Sequence, residues 1–137
     1  MTTLCPTPMR RPSEPRHPSR MASDLHRLLA QLPGPVDGPY PNGQPFVTAL
    51  AHGSMRVELF VPAASGLGRD VQQPHAQDEL YLVQHGRARL RIANEEHAFR
   101  AGDVRFVPAG VEHRFEEFSQ DFATWVVFYG PHGGERA

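Results

Sequence analysis

QPHAQDELYLVQHG at residues 73–86 and GDVRFVPAGVEHRFEEF at residues 102–118 carry the reading of this chain. In the first stretch His75, Gln77, Glu79 and Tyr81 have one parity, and Gln73 shares it. If the backbone is extended here, alternate side chains project to one face, so an imidazole and a carboxylate meet. A second strand beginning at His113 brings another imidazole to that face. Two neutral nitrogens and one carboxylate oxygen around an open space form a ligand set suited to Fe(II), Mn(II), Ni(II) or Zn(II). Leu80 to Val83 followed by Gly86 reads as a strand ending in a turn, and Gly102, Pro108 and Gly110 punctuate the second stretch similarly.

These residues resemble the cupins, whose two motifs are roughly G-x5-H-x-H-x3or4-E-x6-G and G-x5-P-x-G-x2-H-x3-N. Gly102, Pro108, Gly110 and His113 fall in register with the second motif, and Glu117 stands where the family usually has Asn. His75, Glu79 and Gly86 fit the first, while Gln73 occupies the place of its first histidine and Gly68 is the nearest upstream glycine. The resemblance covers about residues 45 to 130, and the wider stretches look like small bacterial single-domain cupins. It implies an all-β cupin jelly-roll β-barrel, one divalent metal ion on His75, Glu79 and His113, a small-molecule ligand and a homodimer. Phosphomannose isomerases, which are cupins, have a ligating Gln in a Gln-x-His pair, so Gln73 is expected as a weak fourth ligand.

The composition narrows the chemistry. A chain of 137 residues, 39% hydrophobic, fits one globular domain able to bury a core. Fourteen basic against fifteen acidic residues give a formal charge of -1 without like-charge blocks, so neither nucleic acid nor membrane is expected as a partner. Every basic residue is Arg, which excludes a lysine Schiff base or nucleophile. Cys5 is the sole cysteine, so no intrachain disulfide forms, and a reducing cytoplasm is the expected location. No apolar run of membrane-spanning length and no signal-peptide h-region occurs.

Residues 1–20 hold five prolines among Arg, Ser and Thr and are expected to be a disordered tail, with Met21 as an alternative start. Residues 21–44 then supply a short N-terminal helix and a loop. Ser23 is the expected N-cap, and Leu25, Leu28, Leu29 and Leu32 repeat at helical spacing before Pro33-Gly34-Pro35. The leucine face is expected to dock on the barrel exterior or on a second subunit. Within residues 45–130, segments 46–51 and 55–61 read as strands joined through His52-Gly53-Ser54. In the second, Val57, Leu59 and Val61 alternate with Arg56, Glu58 and Phe60, which leaves open which side meets a cavity. Arg87, Arg89 and Arg91 alternate with Ala88, Leu90 and Ile92, then come a turn at Asn94-Glu95-Glu96, returning segments 97–100 and 104–107, and a last strand, 124–129. Residues 131–137 are expected to fray.

By parity Gln77, Tyr81, Phe115 and Glu117 are candidates to line a pocket beside the metal, with Glu117 as a catalytic base. Alternatively Tyr81 and Phe115 belong to the core, and Gln77 and Glu117 orient the ligands. His52, His85, His97 and His132 lie in or beside turns and are expected to be exposed. Two functions are compatible with this pattern. One is a metalloenzyme with dioxygenase- or isomerase-like chemistry on a small organic substrate; the other is a non-catalytic small-ligand or metal-binding module.

Overall fold

A computed structural model describes residues 24–136. The expected tail, Cys5, Met21 and the expected cap Ser23 lie outside the described residues. Helix α1 (Leu25–Ala30) is capped instead by Asp24, whose backbone is extended and whose side-chain Oδ1 accepts hydrogen bonds from the amides of His26 at 3.1 Å and Arg27 at 3.3 Å. Six residues cannot hold a helix by themselves, so packing must do so. Leu28 is buried against Ala49, Leu59 and Ala123, with Leu25 and Leu29 beside it. The leucine stripe therefore docks on the outside of the sheet.

Eight strands follow: β1 (Phe46–His52), β2 (Met55–Phe60), β3 (Asp78–His85), β4 (Arg87–Ile92), β5 (Glu95–Arg100), β6 (Val104–Val107), β7 (His113–Phe118) and β8 (Ala123–Tyr129). They form two antiparallel sheets, β1-β2-β8-β3-β6 and β5-β4-β7. The last strand lies between β2 and β3, so the chain's end closes the larger sheet, as in a jelly roll. Between the sheets sits an aromatic core of Phe60, Tyr81, Phe99, Phe115, Phe122 and Phe128 with Val83, Leu90, Val107 and Val126. The fold class is all-β, a jelly roll with, among the described residues, one short α-helix.

Local chemistry sets the turns. Gly86, between β3 and β4, has φ 73°, and a Cβ there would stand 2.8 Å from Phe122 Cα, so only glycine fits. The β4–β5 hairpin turns on Ala93-Asn94, since Ile92 pairs with Glu95; Glu95 and Glu96 are already strand, not turn. The end of the chain does not stand free. Gly133 N donates to Ala76 O at 2.7 Å and Glu135 N to the buried Asp78 Oδ2 at 2.8 Å, while Asp78 Oδ1 accepts from Ala109 N at 3.0 Å. One carboxylate thus ties the terminal turn to the start of β3 and to the Pro108-Ala109-Gly110 turn.

The register decides what alternation left open. Along β2 and the residue after it, Val57, Leu59 and Val61 pack under α1, and Arg56, Glu58 and Phe60 face the interior. The apolar side points outward because a helix covers it.

Candidate metal centre

His75 lies in the irregular segment before β3, where its carbonyl accepts a hydrogen bond from Gly110 N at 2.8 Å. This bond joins the two sequence motifs. Glu79 is the second residue of β3, flanked by Val107 on β6 and Phe128 on β8, and is fully buried. His113 opens β7 and is 2% exposed. Ligand-capable atoms of His75, Glu79 and His113 all lie within 4.8 Å of one another. Glu79 Oε2 is 3.0 Å from His113 Nε2 and 3.9 Å from His75 Nε2.

The donor set fits a metal on a structural ground. Glu79 Oε2 and His113 Nε2 are buried without a hydrogen-bond partner: they are close, but their mutual orientation makes no hydrogen bond. Leaving such atoms bare costs about 1–3 kcal/mol each. On its other side, His113 Nδ1 donates to Val111 O at 2.8 Å, so in the neutral ring Nε2 is the nitrogen without a proton, turned to the cluster. His75 meets the Phe128 ring edge-on, with centroids 4.7 Å apart. The residues present can hold one divalent cation.

Burial pushes the His75 pKa down, opposed by the Glu79 carboxylate. At His113 burial works in the same downward direction, but the nearby Glu79 carboxylate, with the Val111 carbonyl, outweighs it and the pKa is raised. Burial first, then the Glu79 charge, pushes the Tyr81 phenol well above its usual value, so it keeps its proton. Tyr81 OH donates to Gln72 Oε1 at 3.2 Å, and that same oxygen is 3.4 Å from His75 Nε2.

Gln72, not Gln73, is the glutamine turned toward the cluster. Gln73 is exposed at the rim. The segment before β3 is no regular strand, so counting by twos fails there: Asp70 Oδ1 accepts from Gln72 N at 3.0 Å in an Asx-turn, and Asp70 Oδ2 accepts from Gln72 Nε2 and from Phe115 N. Burial raises the Asp70 pKa, against these hydrogen bonds. The sequence signal for this turn is the Asp two residues before Gln72.

A cavity of about 270 Å³ opens on the cluster. Its walls include Tyr40, Phe46, Phe60, Val126 and Phe128; its polar lining comprises Arg56, Glu58, Gln72, Gln73, His75, Glu79 and Tyr81. Tyr81 is therefore at the cavity as expected, whereas Phe115 is core. Gln77 turns aside, its amide donating to Ser54 O at 2.8 Å and Gly130 O at 2.9 Å. Glu117 stands away from the cavity, 72% exposed and 3.6 Å from Arg89. The cause is a β-bulge: β7 pairs Phe115 with Leu90 but Glu117 with the adjacent Arg89, so inward facing passes from Phe115 to Phe118. A similar irregularity between Val83 and His85 leaves His85 exposed. His52 and His132 are exposed and His97 is half-buried beside Glu95, none of them in the cluster. A larger, shallower groove of about 750 Å³ near Arg87, Arg89, Arg100 and Glu117 shares no residue with the ligand cluster.

The cupin-domain family model matches residues 60–129, just over half of the chain. An uncharacterized protein of Streptomyces coelicolor is 39% identical over 90 residues, which span 66% of this chain and 84% of that one. Among solved structures, a DMSP lyase structure superposes with a TM-score of 0.52 at 26% identity, over 64% of this chain but only 47% of the lyase. KdgF from a Halomonas species superposes with a TM-score of 0.53 at 14% identity, over 64% of this chain and 78% of its own. The match begins at Phe60, the last residue of β2, runs through both histidine motifs and ends with β8, so it takes in His75, Glu79 and His113 and just over half of the chain: the chain belongs to the cupin family.

Proposed function

We propose that the protein is a metal-dependent enzyme acting on a small organic molecule, with one divalent ion on His75, Glu79 and His113 and the 270 Å³ cavity receiving the substrate. The observation that carries this reading is the pair of buried, unpartnered atoms, Glu79 Oε2 and His113 Nε2, with His75 beside them. Fe(II), Mn(II), Ni(II) and Zn(II) suit the nitrogen and oxygen donors. When bound, the ion supplies Lewis acidity, or redox chemistry where it is iron. The chain's own groups orient the site. Val111 O holds the His113 tautomer, Gln72 Oε1 stands between Tyr81 OH and His75, and aromatic side chains wall the cavity. Tyr81, protonated throughout the physiological range, offers its O–H to Gln72 or to a substrate oxygen.

The structural likeness to half of a DMSP lyase supports a small organic substrate. Dioxygenase- or isomerase-like turnover is the reaction class proposed, in a cytoplasmic homodimer. A non-catalytic binding module is the second reading, and the position of Glu117 favours it, because the expected base does not reach the cavity. Elemental analysis of protein purified without a metal-affinity tag tests the metal. Near-stoichiometric metal in the wild type and about a 10–100-fold loss of affinity in His113→Ala are expected. No uptake of any of these ions on reconstitution rejects the proposal. A compound released from the cavity and recovered chemically unchanged after incubation with loaded protein favours the binding module.

A further inference from the structure

Arg56 shares the cavity with the ligand cluster, and the strand register fixes how. Arg56 pairs with Phe128, and Phe128 pairs with Glu79, so the three lie in one row across β2, β8 and β3. Two strand spacings, roughly 10 Å, separate the backbones of Arg56 and Glu79. The guanidinium carbon stands 4.9 Å from the centre of the Phe128 ring, the ring that His75 meets edge-on at 4.7 Å. Cation–π contact of this kind steadies the guanidinium. Glu58, the next inward residue of β2, holds Arg56 Nε at 3.0 Å. One edge of the fork is thus engaged. Among the described residues no hydrogen bond or ion pair engages the two Nη groups, and the side chain is 49% exposed at the cavity mouth.

We propose that Arg56 selects the ligand of this cavity, and that the ligand is a small organic carboxylate. Its carboxylate takes the Nη edge of the guanidinium, while an apolar or aromatic body lies against Tyr40, Phe46 and Phe60. The proposal rests on the reading of the cavity as a substrate site. Planar, bidentate geometry matches a carboxylate, and an ammonium at this position would not reproduce it. Charge selects a monoanion. A divalent ion on Glu79 and two neutral imidazoles leaves one net positive charge, and Arg56 and Glu58 cancel, so a single negative charge balances the cavity. A volume of about 270 Å³ lies just under the range of roughly 300–1,000 Å³ for drug-sized ligands, which keeps the body small.

The test is calorimetric titration of the full chain with benzoate, benzamide and phenyl phosphate, loaded with Zn(II) and after chelation. Wild type, Arg56→Gln and Arg56→Lys are compared, with melting curves to show that each is folded. Wild type is expected to prefer benzoate to its amide by about tenfold or more, as a charge-assisted fork does. Arg56→Gln should lose that preference and Arg56→Lys, which keeps the charge without the fork, should retain part of it; metal content should be unchanged in both. Should Arg56→Gln unfold, the Lys variant carries the comparison. Equal benzoate affinity in wild type and variants overturns the proposal, as does amide binding as tightly as acid, phenyl phosphate binding more tightly than benzoate, or no benzoate binding at millimolar concentration. Failure to take up Zn(II) rejects the metal reading separately, and the Arg56-dependent preference is then read on the chelated protein.

Discussion

His113 holds its place in the cluster through both ring nitrogens, one bound to a backbone carbonyl and the other facing Glu79. Gln72 reaches the same space through an amide oxygen, a weaker donor with no proton to lose. Competition titrations should therefore rank the losses of metal affinity. His75→Ala, Glu79→Ala and His113→Ala lose most, Gln72→Ala loses less, and Gln73→Ala changes little because its side chain is exposed. For the same reason Gln73→His should not tighten binding, and tighter binding would show that position 73 points at the ion. Protons give a second test. In metal-free protein His75 should titrate below 6.5, lowered by burial, and His113 above it, raised by Glu79 and Val111 against burial. The linked stabilities have opposite signs. The His113 contribution is full below the unfolded pKa and lost as pH rises through its raised folded value. The His75 contribution is present above the unfolded pKa and lost as pH falls through its lowered folded value. Ring-proton NMR reads both midpoints, and Glu79→Gln should lower that of His113. An unmoved midpoint would reject Glu79 as the cause.

At the scale of elements, α1 and the β3–β4 turn show two ways in which short segments are held. Helix α1 is too short to persist without Leu28, which is 1% exposed beneath it. Leu28→Ala should cost about 2–5 kcal/mol in urea unfolding, and a loss well below that range would mean that the helix is not anchored there. Gly86 is held by space as well as by backbone angle, because Ser119, Asp121 and Phe122 fill the place of a side chain. Gly86→Ala should destabilise the protein measurably, whereas Gly102→Ala, where φ is 90° but nothing lies within 4 Å, carries only the backbone strain and should cost less. The β7 bulge acts at the same scale. It lets His113 and Phe115 face inward and then turns Glu116 and Glu117 out to Arg89 and Arg91, which bind them on the outer face.

For the whole molecule, the proposed metal binding and the expected association are the two equilibria to test. An ion that binds only the folded state adds about 2.7 kcal/mol when present at a hundred times its dissociation constant, so chelation should lower the melting temperature. An unchanged melt after verified removal would separate the ion from stability. No helix among the described residues is long and apolar enough to cross a membrane. The surface does hold an apolar feature. Leu82 on β3 and Val104 and Phe106 on the edge strand β6 are 41%, 53% and 49% exposed. We expect a homodimer, as the cupin resemblance implies. Sedimentation equilibrium at micromolar concentration showing only monomer would reject it, and Phe106→Glu tells whether these residues are buried on association.

Fold class and the three candidate ligands were legible in the sequence, because both depend on short-range regularities. Alternation over β3 put Glu79 and Tyr81 on one side, and glycines and prolines at fixed offsets marked the turns that return the chain. Counting by twos holds only while the backbone stays extended and paired without bulges. Before β3 the Asx-turn at Asp70 exchanged Gln73 for Gln72, and in β7 the bulge carried Glu117 away from the cavity. Which side of β2 is inside was likewise beyond the sequence. An alternating strand is equally consistent with either face being inward until other elements are placed against it. Tertiary packing decided it: α1 covers Val57 and Leu59, and Arg56 and Glu58 are left to line the cavity beside the candidate metal ligands.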